Sequence, residues 1–194
     1  MNFLAHLYLS KNNQNIMIGN FIADAIKGNK YKHFAPEIQK GIMLHRHIDT
    51  FTDQHPVVRK SKRRLSKRYG HYTGVIIDLF YDHFLAKNWD DYCKIPLDIY
   101  AQNFYSLLHE HYEILPEKTK HMLPYLEQYN WLYNYQFLEG MQQVLEGMNR
   151  RTKMKSQMHL SIEDLNEHYQ DFENDFTLFF KDLITFTKNK TAIL

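Results

Sequence analysis

Apolar residues recur along the chain at spacings of three and four, which is the pattern of helices that bury one face. Leu165, Tyr169, Phe172, Phe176, Phe179, Leu183 and Phe186 alternate four and three across 161–187, and Ser161 is placed to cap the start. Residues 36–54 begin at Pro36, suited to a first helical turn, and stop before Pro56. Residues 74–89, GVIIDLFYDHFLAKNW, are apolar nearly all round, as in a buried central helix. Further helices are predicted at about 14–28, 57–68, 96–112, 118–129 and 131–150. Nothing alternates with period two, and no repeat, low-complexity tract or long linker interrupts the series. The pattern predicts one all-α domain spanning 1–194, an antiparallel helical bundle.

Several polar residues fall on the apolar stripes. Ile38, Ile42, His45 and Asp49 follow at four, three and four, so the imidazole and carboxylate extend a hydrophobic face. Val75, Asp78, Asp82, Leu85 and Trp89 do the same on the central helix. Asp24 follows Met17 and Phe21, and His6 stands inside FLAHLYL. Buried carboxylates are costly unless paired, hydrogen-bonded or bound to a metal. Helix positions four apart are neighbours, so His45–Asp49 and Asp78–Asp82 can each grip one ion. Imidazole with carboxylate suits zinc, iron or manganese, whereas a carboxylate-heavy set leans toward manganese or magnesium. A structural ion-pair network is the alternative for these four, and a hydrogen-bonded core histidine is the alternative for His6. For Asp53 the alternative to a site role is a helix-end carboxylate or a cap for the next helix, and His47 and His55 are read as surface residues or as residues that contact ligands from behind.

Composition narrows the classes. Seven glycines and five prolines in 194 residues are few for an all-β protein. A single cysteine, Cys93, rules out an intramolecular disulfide and fits a reducing compartment. No run approaches the roughly 20 apolar residues of a membrane span, so a cytoplasmic location is expected. The net charge of +2 is uninformative, but its distribution is uneven. Arg59, Lys60, Lys62, Arg63, Arg64, Lys67 and Arg68 crowd one segment, either a solvated helix face or a docking patch for an acidic partner. The aromatic stretch 125–145 reads mainly as core, with Tyr129, Trp131 or Tyr135 as candidates for a pocket rim.

Several blocks, taken in order, resemble one family: MNFLAHL, GNFIAD, LHRHID followed by TD, DLFYDHFLAKNW, YNWL, VLEGMNRR and LNEHYQDFENDF. They span nearly the whole chain and are similar to bacterial acyl carrier protein phosphodiesterases, regarded as distant relatives of HD-type metal phosphohydrolases. The resemblance implies an HD-like helical fold. It also implies manganese-dependent release of 4′-phosphopantetheine from the serine of holo-acyl carrier protein, with Mg2+ or Fe2+ as other divalent ions. Matched positions are His6, Asn20, Asp24, His45, Arg46, Asp49, Asp53, Asp78, Asp82 and His83. From these, His6, Asp24, His45, Asp49, Asp78 and Asp82 are expected to hold one or two ions, Arg46 to grip phosphate and His83 to act as acid. The adjacent His-Asp pair of the HD signature is missing, and Asp82-His83 stands in reverse order. Against an acidic carrier the run 59–68 becomes a docking surface, extended by Arg150 and Arg151. Two other readings remain: a nucleotide phosphohydrolase using the same metal, and a non-enzymatic helical module binding an acidic partner or nucleic acid.

Overall fold

The computed structural model describes residues 1–194, with every side chain except that of Ser66. The described residues form eleven α-helices joined by short 3₁₀ turns, with no strand. In chain order these are α1 (Phe3–Tyr8), α2 (Gln14–Ile22), α3 (Pro36–Gln54), α4 (Pro56–Tyr69), α5 (Thr73–Lys87) and α6 (Leu97–Glu110). They are followed by α7 (Glu117–Gln128), α8 (Trp131–Asn134), α9 (Leu138–Arg151), α10 (Ser161–Glu167) and α11 (Tyr169–Thr191). Among the described residues, no helix is long and apolar enough to cross a membrane.

α5 forms the axis of the core. Ile76, Ile77, Leu79, Phe80, Tyr81, Phe84 and Leu85 are all fully buried, so the near-continuous apolar run becomes a helix covered on every side. α1, α4 and α11 pack against it. The stripe expected through Val75 is only partly inward: Val75 is 42% exposed and Asp78 half-buried, because Ile76, Ile77 and Phe80 carry the packing at that end. On α11, Phe172, Phe176, Phe179 and Leu183 are buried as their spacing predicts.

Three predicted helices are shorter or broken. The segment 14–28 leaves α-geometry after Ile22 and continues as 3₁₀ turns over Ala23–Ala25 and Gly28–His33. Arg46 Nη2 holds that course by donating to the carbonyls of Ile26 (3.2 Å) and Gly28 (2.8 Å), where Gly28 takes a φ of 55°. The segment 131–150 divides into α8 and α9, where Phe137 adopts extended geometry. The segment 161–187 divides at His168 into α10 and α11.

The most extensive helix–helix contact is between α2 and α3. It depends on two glycines. A Cβ on Gly19 would lie 2.1 Å from the carbonyl oxygen of Ile38, and one on Gly41 would lie 2.3 Å from that of Ile16. Each glycine Cα also faces the other glycine, so the two backbones touch where any side chain would separate them. Gly41→Ala is therefore expected to lower stability by about 1–3 kcal/mol or more in urea denaturation. Gly74→Ala should be neutral or slightly stabilising, because its Cβ meets only the flexible Lys62 side chain at 3.6 Å.

Candidate metal centre

The close α2–α3 crossing sets His45 of α3 against Asn20 of α2, and α1 brings His6 to the same place. Asn20 is fully buried and organises both rings. Its Nδ2 donates to the carbonyl of His6 (2.8 Å) and to Ser10 Oγ (3.0 Å), which leaves Oδ1 turned toward the imidazoles. Ser10 Oγ in turn donates to the same His6 carbonyl (2.8 Å). His6 Nδ1 donates to Asn20 Oδ1 at 2.7 Å. His45 Nδ1 lies 2.8 Å from the Asn20 backbone oxygen and 3.2 Å from its Oδ1. α2 ends at Ile22, so the Asn20 carbonyl is among the last four of its helix and is free for this role.

With both Nδ1 atoms committed as donors, both Nε2 atoms point the other way. The rings stack with centroids 4.0 Å apart and planes 17° from parallel. His45 Nε2 meets Asp49 Oδ2 at 3.0 Å and Asp24 Oδ1 at 3.2 Å. His6 Nε2 meets Asp49 Oδ1 at 3.3 Å and the carbonyl oxygen of Met1 at 3.2 Å. Among the described residues, His6, His45 and Asp49 are the three potential ligands whose donor atoms all lie within 4.8 Å of one another.

The charges follow. Burial works against a proton on His45, but contacts with Asp24 and Asp49 outweigh it and raise its pKa to about 9. His6 goes the other way, to about 4, because it is buried and faces the charge of His45. Burial alone would raise Asp49, yet the two imidazoles hold it well below the usual carboxylate range. Its contact with His45 also keeps Asp24 low. A neutral His6 that donates from Nδ1 presents an Nε2 lone pair to two oxygens with no proton between them. That arrangement favours a cation.

The other expected residues lie elsewhere. Asp82 is fully buried, and its oxygens accept the backbone N–H groups of Leu4 (2.7 Å), Asn2 (3.2 Å) and Ala5 (3.3 Å). It thereby caps α1, and burial pushes its carboxyl up to about 7 against the opposing charge of the Met1 amino group. Asp78 Oδ1 accepts the Met1 amino group at 3.0 Å. Met1 thus links these carboxylates to His6, but neither Asp78 nor Asp82 belongs to the His6–His45–Asp49 group. Arg46 holds the loop after Asp24 and lies over the Tyr31 ring at 5.1 Å. His83 is buried with both nitrogens engaged, Nδ1 with the Tyr135 carbonyl (2.7 Å) and Nε2 with the Tyr169 hydroxyl (2.8 Å). Burial lowers its pKa.

Much of the basic run is turned inward or paired. Asp175, only 2% exposed, receives Lys60 Nζ (3.1 Å), Ser61 Oγ (2.8 Å) and Arg64. Lys62 pairs with the exposed Asp53 at 2.7 Å, and Arg68 lies near Glu163 and Asp164. Arg59 donates to the Asp53 carbonyl at 3.3 Å, and Arg63 and Lys67 are exposed. His55 contacts Asp182 at 3.3 Å, away from the cluster.

Two imidazoles and two carboxylates converging at a helix crossing define a candidate divalent-ion centre of the kind that hydrolases use. A profile of the acyl carrier protein phosphodiesterase family matches residues 1–183. The chain is 33% identical over 191 residues to the acyl carrier protein phosphodiesterase of Photorhabdus laumondii, covering 98% of this chain and 96% of that protein. It is 33% identical to the Yersinia enterocolitica protein of that name and 34% identical to the Yersinia pestis one, each over 194 residues, 98% of this chain and 99% of the relative. No solved structure gives a significant match. The chain belongs to the acyl carrier protein phosphodiesterase family.

The protonation pattern is directly testable. In the metal-free protein at pH 7, nitrogen-15 NMR of the imidazoles should show His45 as imidazolium, losing its proton only near pH 9. His6 should be neutral down to about pH 4 and carry its proton on Nδ1. An Nε2–H tautomer of His6 would contradict the orientation imposed by Asn20.

Proposed function

We propose that the protein is a divalent-metal-dependent phosphodiesterase that hydrolyses 4′-phosphopantetheine from the serine of holo-acyl carrier protein, leaving apo-acyl carrier protein. Family membership supports the enzyme class and the carrier substrate. The observation that carries the metal is the convergence of His6, His45 and Asp49, whose donor atoms all lie within 4.8 Å of one another. His6, His45 and Asp49 would hold the ion, with Asp24 as a fourth donor at His45 Nε2. Mixed nitrogen and carboxylate donors fit manganese or iron(II) better than magnesium.

A bound ion supplies a Lewis acid for phosphate oxygen and lowers the pKa of water at neutral pH. The chain's own residues do the rest. Asn20 fixes both imidazoles with Nε2 exposed to the centre, the second layer of contacts on which metal affinity commonly depends. His45 must release its proton to solvent to become a ligand, while Asp24 and Asp49 stay ionised beside its Nε2, so metal binding is linked to proton release. Overall, water adds to phosphorus, the bond to the carrier serine breaks, and a proton goes to the serine oxygen. Asp78 and Asp82 hold the segment preceding His6 in place. Within the basic run, the exposed Lys67 and Arg59, the latter donating only to a backbone carbonyl, offer positive charge to an acidic carrier.

Incubation with holo-acyl carrier protein and manganese, followed by mass spectrometry of the carrier, tests this reading. The carrier should lose the phosphopantetheine mass, and chelator should stop the loss. Asp49→Ala should reduce kcat/KM by about a thousandfold or more, equivalent to about 4 kcal/mol of transition-state stabilisation. An intact carrier with efficient nucleotide turnover would replace this reading with a nucleotide phosphohydrolase.

A further inference from the structure

A groove of about 740 Å³ is walled by Phe3, Tyr129, Trp131, Tyr135, Val144 and Met148. It shares α1 with the candidate centre. Phe3 precedes His6 by three residues, one helical turn along the same side. The Phe3 ring packs against Phe21 with centroids 5.0 Å apart, and Phe21 is the neighbour of Asn20. The Tyr135 hydroxyl accepts Asn2 Nδ2 at 2.9 Å, closing the wall where α1 begins.

We propose that this groove is the subsite for the pantetheine arm of the substrate. The inference rests on the phosphodiesterase reading above and assigns residues to the part of the substrate that does not react. The volume falls within the range of small-molecule sites. The arm is a narrow chain of methylene and gem-dimethyl carbon interrupted by two amides, with phosphate at one end. Aromatic faces suit its carbon, and the side-chain amide of Gln143 and the Oδ1 of Asn134, whose Nδ2 donates to the Tyr129 carbonyl at 2.7 Å, suit its amides. Arg150 and Arg151 supply positive charge at the end of α9. Arg151 is exposed with no acidic partner among the described residues, and Arg150 is 68% exposed, reaching Glu146 only at 3.8 Å. This charge complements a phosphorylated arm carried by an acidic protein. Tyr125 and Tyr129 leave 56% and 48% of their surface in solvent at the lip. Exposed aromatic surface of this kind marks binding sites more often than bare protein surface.

Two variants test the assignment. Gly147 lines the groove, and a Cβ there meets only Arg150 Nη2 at 3.8 Å, so Gly147→Phe fills the space without a backbone clash. Tyr129→Ala removes an exposed wall. Leu178→Ala, 62% exposed on α11, is the control. With manganese and holo-carrier, both groove variants should raise KM by at least about tenfold with kcat within about twofold, whereas the control is unchanged. Calorimetric titration with free 4′-phosphopantetheine should show the same loss, with no turnover involved. Unchanged KM and unchanged binding in both variants would overturn the subsite and leave the phosphodiesterase reading standing. Wild-type binding that Gly147→Phe abolishes, with no hydrolysis of the carrier, would support the subsite and overturn the activity. A change in oligomeric state by light scattering, with binding of the free arm intact, would make the groove a contact between copies and overturn the proposal.

Discussion

Backbone contact between α2 and α3 determines whether the two halves of the centre meet. At Gly19 and Gly41 the helices approach so closely that a methyl group on either would lie within about 2.3 Å of a carbonyl oxygen. At that separation the Asn20 carbonyl comes within 2.8 Å of His45 Nδ1. Were the helices moved apart by a side chain, His45 would lose that acceptor and Asn20 would no longer address both rings. The polar network therefore depends on packing that contains no polar side chain.

The electrostatics follow from the same geometry. A buried amide with a single possible orientation makes donors of both Nδ1 atoms, and the Nε2 atoms then face carboxylates. In the metal-free protein a proton on His45 partly balances these anions, whereas His6 stays neutral against oxygen. A divalent ion held by His6, His45 and Asp49, as proposed, would satisfy these groups together, which a proton on one imidazole does not. Asp82 has a different task, gathering three N–H groups at the start of α1 and so fixing where His6 stands.

Much of the fold was legible from periodicity because the apolar stripes are strong: α3 runs Pro36–Gln54 as the two prolines indicate, and the buried phenylalanines of α11 keep their spacing. The breaks were not legible. His168 carries no helix-stopping signal of its own, and the end of α2 is set by Arg46, Asp24 and Gly28 from outside the helix. At the site, apolar stripes marked His45, Asp49 and Asp24 and the stretch FLAHLYL marked His6, and the structure brings these four side chains together. Stripe membership could not separate a carboxylate facing imidazoles, as Asp49 does, from one accepting backbone N–H groups, as Asp82 does. Asn20 was visible only as a matched position, because a buried amide has no periodicity signal that marks it as an orienting group. The basic run looked like a free surface because Asp175, 107 or more positions away, is close only in the folded chain.

The position of the ion is decisive. Crystals grown with manganese, measured for anomalous scattering, locate it directly. The predicted peak lies within coordination distance, about 2.0–2.3 Å, of His6 Nε2, His45 Nε2 and an Asp49 oxygen. A peak between Asp78 and Asp82, or none at the imidazoles, would contradict it.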